Sequence, residues 1–417
     1  MNPSIARAFS FVSASILMAL YLTLPARPAP PADQEETARA LMRPVCKDPK
    51  ARANLVAKLE KQEPEYRRSA VKWDIDMVCA QVDLPLTPVN DTADLSPKAT
   101  HTNWIYHAHW NADGSKIISA SRDGTVRIWD TQSGKTISLV HTHEQKPLVG
   151  GPVPGIVRSA IFVGDEKKIA VAADAQPISL YDVASGHLIA TVPFKKIDPN
   201  ESNPPYMAAT SSGLLLLAGN ADDVVAFDTA AMVERYRLPG HKPNATAVAV
   251  SETAGLVATG AEFKDAIARV SLWKLDTGEK VADFEANGDR RPSALAFSRD
   301  GAQLAVVLGG VVNVYAVADK SLTRTIVVHP FASAFDAAFT ADGKGLISCQ
   351  SHPILWDLAT GKLVRHFGGL SDLCHSIDVS PDGRFAVTGS MGSDVRVWEI
   401  ETGSFYRRLG IDVHPPG

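Results

Sequence analysis

The chain has 417 residues, of which 45% are hydrophobic and 21% charged, and this is the composition of an ordinary globular protein. Its formal net charge of −4 argues against nucleic acid as a partner, because such proteins usually carry a strongly basic surface. The 29 glycines and 27 prolines favour a fold with many turns over a fold of long helices.

An apolar run without charged residues lies between Ala8 and Leu24. Its 17 residues fall between the apolar region of a signal peptide and the roughly 20 residues of a membrane span. Arg7 favours a cytoplasmic N-terminal side, so we expect everything after Leu24 to be exported. A cleaved signal peptide and an uncleaved transmembrane helix both remain open, because residues 24–26 and 27–29 fit the small-x-small cleavage rule poorly.

Segment 1–32, which ends in a proline-rich linker, is followed by a predicted helical hairpin over residues 33–82. Cys46 and Cys79 lie near the outer ends of the two helices, where an antiparallel hairpin would bring them together. In an exported protein we expect them to form a disulfide bond, worth roughly 3–4 kcal/mol on the chain-entropy model. Residues 83–100 contain three prolines and are predicted to be a second linker.

A repeated strand pattern occupies residues 101–410, before a short tail at 411–417. It is best formed in residues 116–135, KIISASRDGTVRIWDTQSGK, where two strand patterns flank a polar turn. The aromatic residue near its end recurs at intervals of 52, 46, 46, 42, 41 and 42 residues, at Trp129, Tyr181, Phe227, Trp273, Tyr315, Trp356 and Trp398. A period of about 40–45 residues with four short strands is typical of a β-propeller blade. The sequence therefore predicts an all-β, seven-bladed β-propeller of four-stranded antiparallel blades.

On these residues the chain resembles the WD-repeat (tryptophan–aspartate repeat) family of seven-bladed β-propellers. The resemblance implies a structural tetrad in which a histidine before the first strand, a serine or threonine, a turn aspartate and the tryptophan are hydrogen bonded. In the first blade these residues are His101, Ser119, Asp123 and Trp129, and we expect them to serve the scaffold. The fourth blade matches with His241, Thr259 and Trp273, with Asp265 as the nearest aspartate, whereas the sixth blade lacks the turn aspartate.

The repeat pattern leaves two points open, the source of the strand that closes the ring and the pairing of the other two cysteines. The last repeat supplies its own outer strand at residues 405–409, so no strand from the N-terminal side is required, although residues 83–100 remain an alternative source. Cys349 and Cys374 fall in neighbouring blades, on a second and a first strand, and whether they pair stays open.

No catalytic or cofactor-binding motif occurs in the chain, so we expect neither enzymatic activity nor a cofactor. The sharpest polar cluster is His107 and His109 on the first strand of the first blade, and ring closure is expected to bring His109 near Asp378. Two histidines and a carboxylate can bind a metal ion. We predict a structural histidine–aspartate hydrogen bond instead and keep the three residues as metal candidates.

Two long connections, 141–155 and 194–206, join an outer strand to the next inner strand and therefore emerge on the same face of the ring. Propellers of this family recognise proteins and peptides on that face, and long loops often carry function. Partner-binding residues are expected in these loops and before the fifth blade, at His143, Lys146, Asp198, Asn200, Glu201, Asn203, Arg290 and Arg291. Surface insertions without a binding role are the alternative.

These observations favour a monomeric, non-catalytic protein-interaction scaffold of the cell envelope. Its propeller would lie outside the cytoplasm, either free in the periplasm or anchored in the inner membrane through the N-terminal helix. The alternative is a periplasmic propeller enzyme or metal binder, such as a lactonase-like hydrolase, that uses the axial channel.

Overall fold

In a computed structural model, the chain forms a small helical segment followed by a ring of β-sheets. The structure describes residues 40, 42–61, 71, 75, 79, 100–142, 144–145, 153–174, 176–192, 206–218, 223–241, 244–262, 267–287, 291–328, 334–350, 352–367 and 373–410.

The helical segment has its own small core and a disulfide bond. Residues 42–47 are helical, and a helix spans Pro49–Glu60. Asp48 caps this helix, because its side chain accepts a hydrogen bond of 2.9 Å from the backbone N–H of Lys50. Cys46 and Cys79 form the disulfide bond expected from the sequence, with Cα atoms 5.1 Å apart.

Among the residues that the structure describes, no helix is long and apolar enough to cross a membrane. The predicted apolar helix at residues 8–24 lies outside those residues, as do the linker at 83–99 and the tail at 411–417.

Within the described residues, seven antiparallel four-stranded sheets follow one another along the chain, and each sheet is built from four consecutive strands. The strands of blades one to three are β1 (Ile105–Trp110), β2 (Lys116–Ser121), β3 (Thr125–Asp130), β4 (Thr136–His141); β7 (Val157–Val163), β8 (Lys168–Ala173), β9 (Ser179–Asp182), β10 (Leu188–Thr191); β11 (Tyr206–Ala209), β12 (Leu214–Ala218), β13 (Val224–Asp228) and β14 (Val233–Leu238). Blades four and five contain β15 (Asn244–Ser251), β16 (Leu256–Glu262), β17 (Ala268–Lys274), β18 (Lys280–Glu285); β19 (Ala294–Phe297), β20 (Gln303–Leu308), β21 (Val311–Ala316) and β22 (Leu322–Val327). Blades six and seven contain β23 (Asp336–Phe339), β24 (Gly345–Cys349), β25 (Pro353–Asp357), β26 (Leu363–His366); β27 (Cys374–Val379), β28 (Phe385–Ser390), β29 (Val395–Glu399) and β30 (Phe405–Arg408). A two-stranded sheet, β5 (Glu144–Gln145) with β6 (Val153–Pro154), lies in the first long connection.

The predicted seven-bladed propeller is confirmed. Each of the seven aromatic residues that define the repeat is the penultimate residue of the third strand of its blade. The second and third strands are buried almost throughout, as in β2 and β3, because neighbouring blades cover both faces of each sheet.

The ring closes between blade seven and blade one, where β1 packs against β27 and β28. Ile105 is fully buried in this contact, which is worth roughly 1.5–3 kcal/mol of hydrophobic free energy. A Cβ atom on Gly389 would lie 2.6 Å from the Ile105 side chain, so the contact requires glycine there. The outer strand of blade seven is β30, as expected, and residues outside the repeats contribute no strand to the described sheet.

A side chain on the outer strand of four blades reaches the turn after the third strand of the next blade. The residues occupy equivalent positions in the sheets and donate to turn carbonyl groups: Tyr236 to Leu275, Arg324 to Leu358 and Ala359, Arg365 to Ile400, and Arg407 to Thr131 and Gln132. The turn glycine beside each brace leaves room for it; at Gly134 a Cβ atom would lie 2.8 Å from Arg407 Cδ. We call these four side chains the braces, and Arg407 is the brace of the closure.

Replacing Arg407 with alanine is expected to lower the free energy of unfolding by about 1–2 kcal/mol, because two charge-assisted hydrogen bonds across the closure are lost. Urea unfolding followed by tryptophan fluorescence measures the change. Arg235→Ala is the matched control, since that guanidinium is exposed on β14 and its ion pair among the described residues is with Asp228 of its own blade. Equal stability of the two variants would contradict a bracing role for Arg407.

Candidate functional site

The tetrad of blade one is complete and buried. His101 Nδ1 lies 2.9 Å from Asp123 Oδ2, and His101 Nε2 lies 2.7 Å from Ser119 Oγ, which also accepts the indole N–H of Trp129 at 2.8 Å. Burial lowers the pKa of His101, so the ring is neutral at neutral pH. Burial alone would raise the pKa of Asp123, but hydrogen bonds from His101 and Thr125 outweigh burial and hold it below its usual value. Because these groups satisfy one another, the geometry is that of a scaffold rather than of a reacting site.

Parts of the tetrad recur elsewhere in the ring. Hydrogen bonds of 2.8–2.9 Å from the indole to a hydroxyl join Trp273 to Thr259, Trp356 to Ser348 and Trp398 to Thr388. His241 Nε2 lies 2.7 Å from Thr259 Oγ1 in blade four, while Asp265 lies outside the described residues.

The axial cluster predicted from the sequence comes together only in part. His109 Nδ1 lies 3.3 Å from Asp378 Oδ2 across the closure, as expected. His107 turns to blade two, where its Nδ1 donates to the carbonyl of Ala160 at 3.0 Å. Burial lowers the pKa of His107, whereas Asp378 outweighs burial at His109 and raises its pKa. The described residues contain no group of three histidine, cysteine, aspartate or glutamate side chains arranged to hold a metal ion.

Two carboxylates on inner strands join consecutive blades. Asp336 Oδ2 accepts the backbone N–H of Ile377 at 3.1 Å, which links blade six to blade seven. Asp378 Oδ2 accepts the backbone N–H of Trp110 at 2.9 Å, which links blade seven to blade one. Burial raises the pKa of Asp336 to about 6, although the positive charge of His109 opposes this rise.

Four aromatic rings form a continuous surface at the start of the inner strands of blades six, seven and one. They are Phe335, His375, Tyr106 and Trp104, and we call this surface the aromatic mouth. Phe335 stacks on His375 with ring centres 5.0 Å apart, His375 meets Tyr106 edge-on at 5.0 Å, and Tyr106 meets Trp104 at 6.3 Å. All four rings are partly exposed. Burial lowers the pKa of His375 to about 4, so the surface is uncharged at neutral pH.

The mouth is built largely from one position of the repeat. Tyr106, Arg158 and His375 each sit at a β-bulge, where the pairing of the first and second strands shifts by one residue. Phe335 precedes β23 at the equivalent point of blade six. A bulge redirects a side chain away from the regular alternation of a strand. Four consecutive blades therefore place a large planar side chain at this position, whereas blade four has Thr246 there.

Two guanidinium groups lie over the rings of the mouth. Arg122 Cζ is 4.8 Å from the centre of the Trp104 ring, and Arg158 Cζ is 4.9 Å from that of Tyr106. Both carboxylate oxygens of Asp174 accept hydrogen bonds from the Arg158 guanidinium, from Nε at 2.9 Å and from Nη2 at 2.8 Å. Arg122 is exposed, and its guanidinium has no hydrogen-bond or ion-pair partner among the described residues.

A second disulfide bond connects blades six and seven next to the mouth. Cys349 of β24 and Cys374 of β27 are bonded and fully buried, with Cα atoms 5.3 Å apart. The carbonyl of Cys349 accepts the N–H of Phe335 at 2.9 Å, and His375 directly follows Cys374. The bond therefore joins the two blades that carry the stacked pair.

Most of the predicted partner-binding residues cannot be placed on this surface. Arg291 is described and exposed, but seven residues lie outside the described part of the chain: His143, Lys146, Asp198, Asn200, Glu201, Asn203 and Arg290. Their binding role stays a prediction. The mouth itself was missed from the sequence, although aligning the repeats on the residue before His107, Ser159, Asp336 and Ser376 would have revealed it.

Comparison with known proteins agrees with the geometry. A model of the WD domain, G-beta repeat, matches residues 96–130 and 361–399. These two regions match WD repeats, and the fold of the described residues is a seven-bladed β-propeller.

Three curated proteins illustrate what the chain is similar to. The guanine nucleotide-binding protein subunit beta of Saccharomyces cerevisiae is 21% identical over 341 residues, which cover 72% of this chain and 78% of that protein. The serine-threonine kinase receptor-associated protein of Gallus gallus is 21% identical over 334 residues, covering 77% of this chain and 74% of that protein. Pre-mRNA-processing factor 19 homolog 2 of Arabidopsis thaliana is 25% identical over 221 residues, covering 52% of this chain but only 38% of that protein.

The raised pKa of Asp336 predicts a pH-dependent stability. The folded state holds a proton on this group up to about pH 6, whereas the unfolded chain loses it near the ordinary value of 3.8. This contribution to the free energy of unfolding is therefore fully present below about pH 4 and is lost as the pH rises through 6. Asp336→Asn removes the titration, so the stability of the variant relative to the wild type should rise between pH 4 and 6.

Urea unfolding of both proteins at several pH values measures this difference. Asp342→Asn is the control, since that exposed carboxylate has a lowered pKa and should shift the profile in the opposite direction. Parallel profiles of the wild type and Asp336→Asn would contradict a protonated Asp336.

Proposed function

We propose that the protein is a non-catalytic protein-interaction scaffold of the cell envelope, which binds a protein or peptide partner on the face that carries the aromatic mouth. The observation that supports this most is the row of planar side chains at one repeat position of four consecutive blades, which is a β-bulge in three of them and directly precedes the first strand in blade six. Partly exposed aromatic and arginine side chains in one patch are the composition typical of interface hot spots. The inner strands begin on the face that carries the mouth, so each connection from an outer strand reaches its next inner strand on that face.

The names of two relatives support an interaction role. One is a subunit of a guanine nucleotide-binding protein and another is a receptor-associated protein, so both are named for association with other proteins. The complete tetrad and the braces stabilise the ring, as a scaffold requires.

The cysteines support an oxidising compartment. The chain has four cysteines, and all four are in the disulfide bonds Cys46–Cys79 and Cys349–Cys374. Disulfide bonds persist in exported proteins and are rare in reducing compartments. With the apolar run at residues 8–24, they favour a propeller outside the cytoplasm, in the periplasm or anchored to the inner membrane.

One observation favours the second candidate, an enzyme or metal binder of the axial channel. His109 Nε2 is buried without a hydrogen-bond partner among the described residues. The other ring nitrogen pairs with Asp378, however. The His107 ring lies 4.0 Å from the His109 ring, but its Nδ1 donates to the Ala160 carbonyl, and the described residues contain no three side chains arranged to hold a metal ion. We therefore prefer the interaction scaffold.

The double variant Tyr106→Ala/Phe335→Ala should release the partner, because it removes two rings of the mouth without touching the tetrad. The affinity-tagged full-length protein, purified from cells, is compared with the variant by mass spectrometry of co-purified proteins, and the partner should fall by about tenfold or more. The matched control is Phe385→Ala/Tyr406→Ala, a contacting aromatic pair 4.6 Å apart beside the turns of the opposite face. Full retention of every partner by the mouth variant, or a stoichiometric metal ion in the wild type, would count against the scaffold.

Thiol labelling tests the compartment. We expect a maleimide added to the denatured protein to label none of the four cysteines before reduction and all four afterwards. Fractionation of the cells should recover the protein outside the cytoplasm. Recovery in the cytosol with four reactive thiols would contradict the envelope location.

A further inference from the structure

We propose that the partner presents an acidic segment to the mouth: a carboxylate that pairs with Arg122, next to an apolar or aromatic side chain that rests on the rings. This inference depends on the proposed function, since it names the chemistry of the partner that the mouth would bind.

Arg122 is the one guanidinium of the mouth with free donors among the described residues. Its Cζ lies over the Trp104 ring, 4.8 Å from the ring centre, and none of its guanidinium N–H groups has a hydrogen-bond partner among the described residues. The guanidinium of Arg158 lies similarly over the Tyr106 ring, but two of its N–H groups already donate hydrogen bonds to Asp174. The Arg158–Asp174 pair shows, within this same surface, how a carboxylate fits a ring-stacked guanidinium.

The backbone holds Arg122 in place before any partner arrives. Its N–H donates to the carbonyl of Trp104 at 2.8 Å, which ties the arginine to the ring that it covers. The next residue, Asp123, accepts hydrogen bonds from the N–H groups of Thr102 and Thr125. Because the turn is fixed, little conformational entropy of the backbone is lost when a ligand binds.

The neighbouring carboxylate does not neutralise Arg122. Asp123 is nearly buried and is hydrogen bonded to His101 and Thr125, so its oxygens are occupied inside the tetrad. No carboxylate of the described residues lies within ion-pairing distance of the Arg122 guanidinium. The charge of Arg122 is therefore available to an acidic group even though the whole chain has a net charge of −4.

The surroundings favour a protein segment over an anionic membrane. Membrane surfaces are recognised by clusters of several lysines and arginines. Here a single unpaired guanidinium lies beside uncharged aromatic rings, which suits one carboxylate and one apolar side chain of a peptide. Cationic segments are disfavoured, because Arg122 would repel them.

The probe is a phage-displayed library of random peptides, selected on the immobilised full-length protein. Peptides that bind should be enriched in aspartate or glutamate next to apolar or aromatic residues. Synthetic copies of the selected peptides are then measured by fluorescence polarisation, with each acidic residue replaced by its amide. The amide versions and the variant Arg122→Glu should each weaken binding by about tenfold or more, and added salt should weaken it as well.

Arg384→Glu is the matched control, because its guanidinium also lies over a ring, 5.0 Å from Phe385, beside a turn of the opposite face. This variant should bind the selected peptides like the wild type. Enrichment of lysine and arginine, equal binding of acid and amide peptides, unchanged binding by Arg122→Glu, or the failure to select any peptide overturns the proposal. Binding of phosphatidylglycerol vesicles that depends on Arg122 in place of peptide binding also overturns it.

The two proposals fail differently. If Tyr106→Ala/Phe335→Ala loses the natural partner while the selected peptides show no preference for acids, only the acidic partner is wrong. If the same double variant keeps the natural partner, the mouth is not the binding site and the proposed function is wrong.

Discussion

The ring stays closed through the contact between blade seven and blade one, because these are the last and the first blade of the chain and are not connected in sequence. Burial of Ile105 against the surface that Gly389 leaves open provides the apolar part of this contact. Asp378 adds a hydrogen bond to the inner strand of blade one, and Arg407 adds a brace at the outer edge. Three contacts at increasing distance from the propeller axis therefore hold the closure, and no strand from outside the repeats takes part among the described residues.

The mouth depends on this closure. Its rings come from blades six, seven and one, so any opening between blade seven and blade one would separate His375 from Tyr106. The Cys349–Cys374 bond secures the neighbouring junction between blades six and seven. A disulfide bond at one junction and non-covalent contacts at the next thus maintain the geometry of the mouth. The tetrads, by contrast, stabilise single blades.

The sequence was sufficient for the blades, because their signals are local: an aromatic residue near the end of the third strand and, in five of the seven blades, a glycine in the following turn. It also placed His109 next to Asp378, since that pairing follows from closure alone. It did not reveal that His107 turns to Ala160, nor that Tyr106 and His375 lie at bulges, because a bulge inserts one extra residue and the sequence of so short a strand does not show which residue that is. Whether Cys349 and Cys374 pair likewise depends on how far the strands of two neighbouring blades are shifted relative to each other along the propeller axis. The repeat length does not show this shift.

The bulge has a consequence for how such a protein can change over time. A residue at a bulge is released from the interlocking of neighbouring blades, so substitutions there alter the chemistry of the surface while the interior stays intact. This chain has a partly exposed tyrosine, arginine and histidine at the bulged position of three blades, on an otherwise repeated frame, whereas the threonine at the bulge of blade four is buried. The side chains of the proposed binding surface and those of the core are therefore different residues of the same strand, so the surface can change one side chain at a time.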